Sequence, residues 1–118
     1  MKRNWDVIRK IMVKLEDLPT ESSQLDSDAI VGVDNETVFY HMRMMIEAGL
    51  AIGGCPEMLG ACHGYLLRLS WEGHELLDKI RRESVWNKVK DIAKTKSIDL
   101  SIDVVKSVAK SVIADLLA

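Results

Sequence analysis

The sequence predicts an α+β fold with a helical C-terminal extension, and three observations carry that prediction. Apolar residues recur every three or four positions over 5–18, 35–48 and 102–117. Two short apolar runs, 50–54 and 65–70, flank a loop holding one proline and two glycines, as a long-tipped hairpin does. The chain has 118 residues, 47% hydrophobic and 29% charged, which suits one small core and leaves no room for two.

In chain order, Trp5, Ile8, Ile11, Met12, Leu15 and Leu18 form one stripe of a helix over 5–18. Asn4 is its N-cap, Asp6 suits its first turn, and Pro19 ends it. Residues 19–27 are polar and read as loop, and the β-branched run 29–33 reads as a short strand. Asp34 caps a second helix over about 35–48. Its inward face is Val38, His41 or Met42, Met45 and Ile46, and Gly49 stops it. The hairpin follows. Ser70 caps a third helix opened by Trp71–Glu72–Gly73, with Trp71 packed beneath it. Its apolar positions are His74 or Leu77, Leu76 and Ile80. Ser84 recaps the chain for a helix over 85–95. After a break at 95–97, Ser101 caps a last helix over about 102–117. Its stripe of Ile102, Val105, Ala109, Val112 and Leu116 covers the chain's own core or a second copy, so a homodimer is expected through it. The division expected is a core over 1–96 and a terminal helix over 97–118.

The net charge is -2, and its layout is uneven. Residues 1–18 carry +2, 19–62 carry -6, 63–96 carry +3 and 97–118 carry -1. The beginning has no apolar signal region, and no apolar run approaches the roughly 18 residues that span a bilayer. A cytoplasmic protein without a membrane role is the expectation. Cys55 and Cys62, the two cysteines, read as ordinary reduced thiols.

The run Thr37–Val38–Phe39–Tyr40–His41–Met42–Arg43–Met44–Met45–Ile46–Glu47–Ala48–Gly49–Leu50, followed by two strands and a helix, resembles the recognition helix and wing of winged helix-turn-helix proteins. The resemblance implies a winged-helix-like domain whose second helix enters the major groove of double-stranded DNA while the hairpin tip touches the backbone or minor groove. It places Asn35, Phe39, Tyr40 and Arg43 outward, with Arg43 donating to guanine and Asn35 reading adenine. It puts His41 at a half-buried position and makes His63 and Arg68 the phosphate donors of the wing. The chain departs from the pattern twice. The segment 19–33 does not read as the middle helix, and Glu36 and Glu47 oppose Arg43 within the acidic third. Lys2, Arg3, Lys79, Arg81, Arg82, Lys88 and Lys90 would have to supply compensating charge.

A more specific resemblance covers roughly 1–118. It rests on the opening Met–Lys–Arg–Asn–Trp–Asp–Val–Ile–Arg–Lys–Ile, on Tyr40–His41 with Glu47–Ala48–Gly49–Leu50, and on Arg68–Leu69–Ser70–Trp71–Glu72–Gly73–His74–Glu75–Leu76–Leu77–Asp78 with Trp86–Asn87–Lys88–Val89. The chain resembles the domain-of-unknown-function family numbered 2513, found in bacteria, phages and prophages. That setting implies a transcriptional or phage–host regulatory role and brings no chemistry with it.

Enzyme and metal readings find less support. Glu72, His74, Glu75 and Asp78 crowd one helix start, but no nucleophile motif surrounds Ser70. Cys55, Cys62 and His63 lack the short Cys-x-x-Cys spacing of structural zinc sites. Two readings stand: a small DNA-binding regulator, or a non-enzymatic adaptor that holds a protein partner on the same scaffold. No catalytic residue, metal or cofactor is expected in either.

Overall fold

The computed structural model describes residues 1–56, 60 and 62–118. Part of the predicted hairpin loop, residues 57–59 and 61, lies outside the described residues. The chain forms two compact units, 1–74 and 75–118. The described elements are α1 (Trp5–Glu16), β1 (Leu25–Asp26), α2 (Asn35–Glu47), β2 (Ala51–Gly54), β3 (Tyr65–Leu69), α3 (Trp71–Ile80), α4 (Glu83–Thr95) and α5 (Ile102–Leu117). The fold is α+β, as predicted.

In the first unit, α1 starts where the sequence places it. The Asn4 side chain accepts from the backbone N–H groups of Asp6 and Val7, satisfying donors that have no partner inside the helix. The stripe Trp5, Ile8, Ile11, Met12 and Leu15 is buried, and Val7 joins it. The helix ends at Glu16 rather than Leu18, because Pro19 disfavours helical backbone at the residue before it.

The predicted strand at 29–33 is not there. Ile30 is buried, but Val31 is 82% exposed, and Gly32 takes φ +85°, which turns the chain. Turn bonds Ala29 N–H to Asp26 O and Val33 N–H to Ile30 O replace a ladder. The strand is Leu25–Asp26, inside the segment predicted as loop. Leu25 pairs Leu66 and Asp26 pairs Tyr65, antiparallel. A two-residue strand in a polar run carries too little alternation to be seen in sequence.

Asp34 caps α2 as predicted: its carboxylate accepts from the Thr37 N–H at 3.0 Å and the Thr37 hydroxyl at 2.7 Å. Both bonds favour the ionised form and hold this carboxyl below its ordinary value, the hydroxyl bond contributing most. At the other end, Leu50 N–H bonds Met45 O and Gly49 N–H bonds Ile46 O, with Gly49 at φ +74°. This is a Schellman turn, and it delivers the chain directly into β2. The sheet order is β1-β3-β2. A bulge between Ile52 and Gly53 shifts the β2–β3 register, and a Cβ at Gly53 would lie 2.1 Å from Tyr65 O. α1 and α2 pack on each other and on this sheet.

Ser70 opens α3 as predicted. Its hydroxyl accepts from Gly73 N–H at 3.0 Å and donates to Gly49 O. Trp71 does not pack beneath the helix: it is 76% exposed.

In the second unit, α4 and α5 pack together. Val85, Trp86, Val89 and Ala93 of α4 and Val105, Ala109 and Val112 of α5 are buried. The stripe that suggests a homodimer is therefore largely covered within the chain. Leu116 at its end is 62% exposed and Ile102 is half-buried. Ser101 caps α5 as predicted, accepting from Val104 N–H at 3.2 Å. Ser97 at φ 53° makes the predicted break. Ser84 is not the cap of α4. The cap position is Arg82, with no side-chain bond to the helix start. Arg82→Asp supplies the missing acceptor and is expected to stabilise the fold by about 1 kcal/mol, read as a rise in the urea midpoint.

Candidate nucleic-acid interface

Helix α2 and the hairpin are tied together at the helix's N-terminal end by a buried hydroxyl. Ser27 is fully buried. Its Oγ donates to Asn35 Oδ1 at 2.6 Å and accepts from Gly64 N–H at 3.0 Å, while its own N–H bonds Gly64 O at 2.8 Å. Asn35 Nδ2 donates to Cys62 O at 2.5 Å. One residue after β1 thus fixes the first residue of α2 to the strand side of the hairpin. The sequence carries no signal for this: Ser27 sits in a polar run and could equally be exposed. Ser27→Ala strands the Gly64 N–H and the Asn35 carbonyl, and is expected to cost about 2 kcal/mol. Amide hydrogen exchange should show the largest loss of protection at 62–66.

The predicted reading residues divide into four groups. Asn35 is held at the hairpin with both ends of its amide engaged, so reading adenine would require breaking that tie. Phe39 is not outward: it is 6% exposed. The hairpin covers it, with Cys55 Sγ 3.9 Å from Phe39 O and the Phe39 ring 3.1 Å from where a Gly64 Cβ would stand. Tyr40 and Arg43 are half-buried on α2. The Arg43 guanidinium lies 4.9 Å from the Phe39 ring centroid, so the buried ring acts as a platform for the charge. On the hairpin, His63 is exposed and its Nε2 stands 3.6 Å from an Asp26 carboxylate oxygen. Arg68 is exposed on β3 opposite Ile52. Glu36 and Glu47 are exposed at the two ends of α2.

His41 is fully buried, not half-buried. Its Nε2 accepts from Asn4 N–H at 2.8 Å and its Nδ1 lies 2.7 Å from Thr37 O. A ring that accepts at Nε2 and donates at Nδ1 is the neutral Nδ1–H tautomer. It pins the start of α1 to α2 and leaves no lone pair for a ligand. Tyr40 meets it edge-on, with ring centroids 5.4 Å apart.

Cys55 and Cys62 are free thiols. Burial pushes the Cys55 thiol up, Arg43 opposes that shift and Glu47 adds to it, so the thiol stays protonated and poorly nucleophilic. His74 and Asp78 are both exposed, and Asp78 pairs with Arg81 at 2.8 Å. Among the described residues, no three His, Cys, Asp or Glu side chains are placed to hold a metal ion. No helix of the described residues is long and apolar enough to cross a membrane.

The class these features define is a small α+β domain whose second helix and hairpin form one braced face. The chain belongs to the family described as "Hypothetical protein (DUF2513)", which matches residues 2–99. It is 45% identical over 118 residues to a protein of Haemophilus influenzae named "Uncharacterized protein", covering all of both chains. No solved structure matches it.

Proposed function

We propose that the protein is a small DNA-binding regulator of the phage or prophage kind, built on a winged-helix scaffold with α2 as the reading helix and the β2–β3 hairpin as the wing. The observation that carries this reading is the sheet order β1-β3-β2, with α2 feeding β2 through a Schellman turn. A winged helix has this order of strands, helix and hairpin. In the order of elements the departure is the middle helix: turns over 27–34 take its place, and Ile30 supplies a buried apolar side chain there.

In this reading Arg43 and Tyr40 face the groove, Phe39 orients Arg43 from beneath, and His63 and Arg68 touch phosphates. Asn35 serves by holding the wing against the helix. Binding is purely electrostatic and geometric, without chemistry. The Glu36 and Glu47 carboxylates make it weak, and the contacts of cations with phosphate make it salt-dependent.

The test is fluorescence anisotropy with a mixed-sequence duplex at about 50 and 200 mM salt. Saturable binding on the order of 1–10 µM at low salt, lost at high salt, is expected. Arg43→Ala should weaken it about fivefold and lower the salt slope by about 1. Absence of binding at both salt concentrations removes the DNA reading.

The adaptor reading has its own supporting observation. Both carboxylates at the ends of α2 are exposed while the Asn35 amide is already engaged, which suits a basic protein surface better than phosphate. A protein silent toward duplex but bound to its partner through Glu36 and Glu47 would fit it.

A further inference from the structure

We propose that the C-terminal unit carries a separate docking groove for an acidic amphipathic segment of a partner protein. A groove of about 320 Å³ runs between the end of α3, the start of α4 and the end of α5. Val85, Ile113, Leu116 and Leu117 make its apolar wall, and Lys79, Arg81 and Arg82 its charged rim. A second hollow of about 240 Å³, lined by Ser84, Lys88, Val112 and Asp115, shares Leu116 with it. Leu116 and Leu117 are 62% and 82% exposed. Burying side chains of this kind is what favours association with an apolar partner.

The rim states the charge of the occupant. The four charged residues lining the larger hollow, Asp78 included, carry a net +2. The Asp78 carboxylate already pairs with Arg81. Arg82 is exposed at the cap position of α4, and no side chain caps that helix start. The positive end of the helix dipole lies at this rim, offset in part by Glu83 in the first turn. An occupant with carboxylates around two leucine-like side chains complements both features, as an amphipathic helix in a groove does.

Two other occupants fit less well. Nucleic acid would set phosphates against the two exposed leucines, which offer them nothing. A second copy needs roughly 800 Å² from each partner. Along α5, Asp103, Ser107, Lys110 and Ser111 are polar and exposed, and they interrupt the apolar surface that a second copy would need.

The probe is a short fluorescein-labelled peptide with two leucines one helical turn apart among glutamates, titrated with the full chain. Binding on the order of 10–100 µM is expected, weakened about tenfold or more by Arg82→Asp and by Leu116→Ser. Arg82→Asp improves the helix cap, so loss of binding in that variant with an unchanged circular dichroism spectrum is not misfolding. The same peptide with lysine for glutamate should not bind. The proposal is overturned by no saturation at 1 mM, by equal binding of the lysine peptide, or by binding that both variants leave intact. It is also overturned, in favour of nucleic acid, if duplex rather than peptide loses affinity in Arg82→Asp. This groove stands independently of the DNA reading, because the peptide titration contains no DNA.

Discussion

Gly73→Ala is expected to destabilise the protein by about 3 kcal/mol, although glycine to alanine inside a helix ordinarily stabilises by roughly 1 kcal/mol. The sign reverses because of what lies against the helix. A Cβ at residue 73 would stand 2.0 Å from Leu50 O and 3.0 Å from Leu50 C. Both are backbone atoms, so no side chain can swing aside. Leu50 O is also the acceptor for Ser70 N–H at 3.0 Å, and Ser70 Oγ caps α3 while holding Gly49 O. Moving α3 outward to admit a methyl breaks that set of bonds together. Urea unfolding followed by circular dichroism measures it. Trp71→Ala is the control: two residues away and 76% exposed, it should change stability by less than about 0.5 kcal/mol. A Gly73→Ala variant as stable as the parent would mean that α3 does not sit on Leu50. The Trp–Glu–Gly–His block is thus a fold junction, with glycine as its required member.

His41→Ala is expected to cost about 2–4 kcal/mol. The loss has two parts. A fully buried imidazole leaves a cavity, and the Asn4 N–H loses the acceptor it meets at 2.8 Å. Because Asn4 also caps α1 with its side chain, the first turn of that helix should fray. Hydrogen exchange at residues 4–8 reads this apart from the global loss. A cost below about 1 kcal/mol would contradict the bridge between α1 and α2.

Much of this fold is legible from local chemistry. Asn4, Asp34 and Ser101 are capping residues set just ahead of periodic apolar runs, and each caps as read. Gly49 ends α2, because the left-handed backbone there suits glycine. What is not legible depends on packing from a second side. The helical phase of α2 marks Val38, Met42 and Met45 as core. It cannot show that the hairpin folds over Phe39 as well. The same ignorance hides Ser27, whose burial is decided by Asn35 and Gly64, eight and thirty-seven residues away. β1 escapes because two residues cannot display a period, and the more β-branched run beside it is turned by Gly32. Trp71 misleads in the opposite direction: its size argues for burial, but its position at the outer start of α3 leaves it in water. Of the six reading residues, the sequence locates all on α2 or the hairpin. It does not reveal that Asn35 and Phe39 are committed to holding that face together.

The charge layout bears on function more than the net charge does. The acidic third, residues 19–62, contains α2 and carries -6. A DNA reader built there depends on the few cations at its face, which is why Arg43 and its aromatic platform matter most. The most direct measurement is backbone amide NMR during titration with a short mixed-sequence duplex at low salt. The winged-helix reading predicts shift changes gathered at 35–44 and 62–68 that reverse on adding salt. No changes at low salt, or changes confined to 79–88 and 113–117, would contradict it.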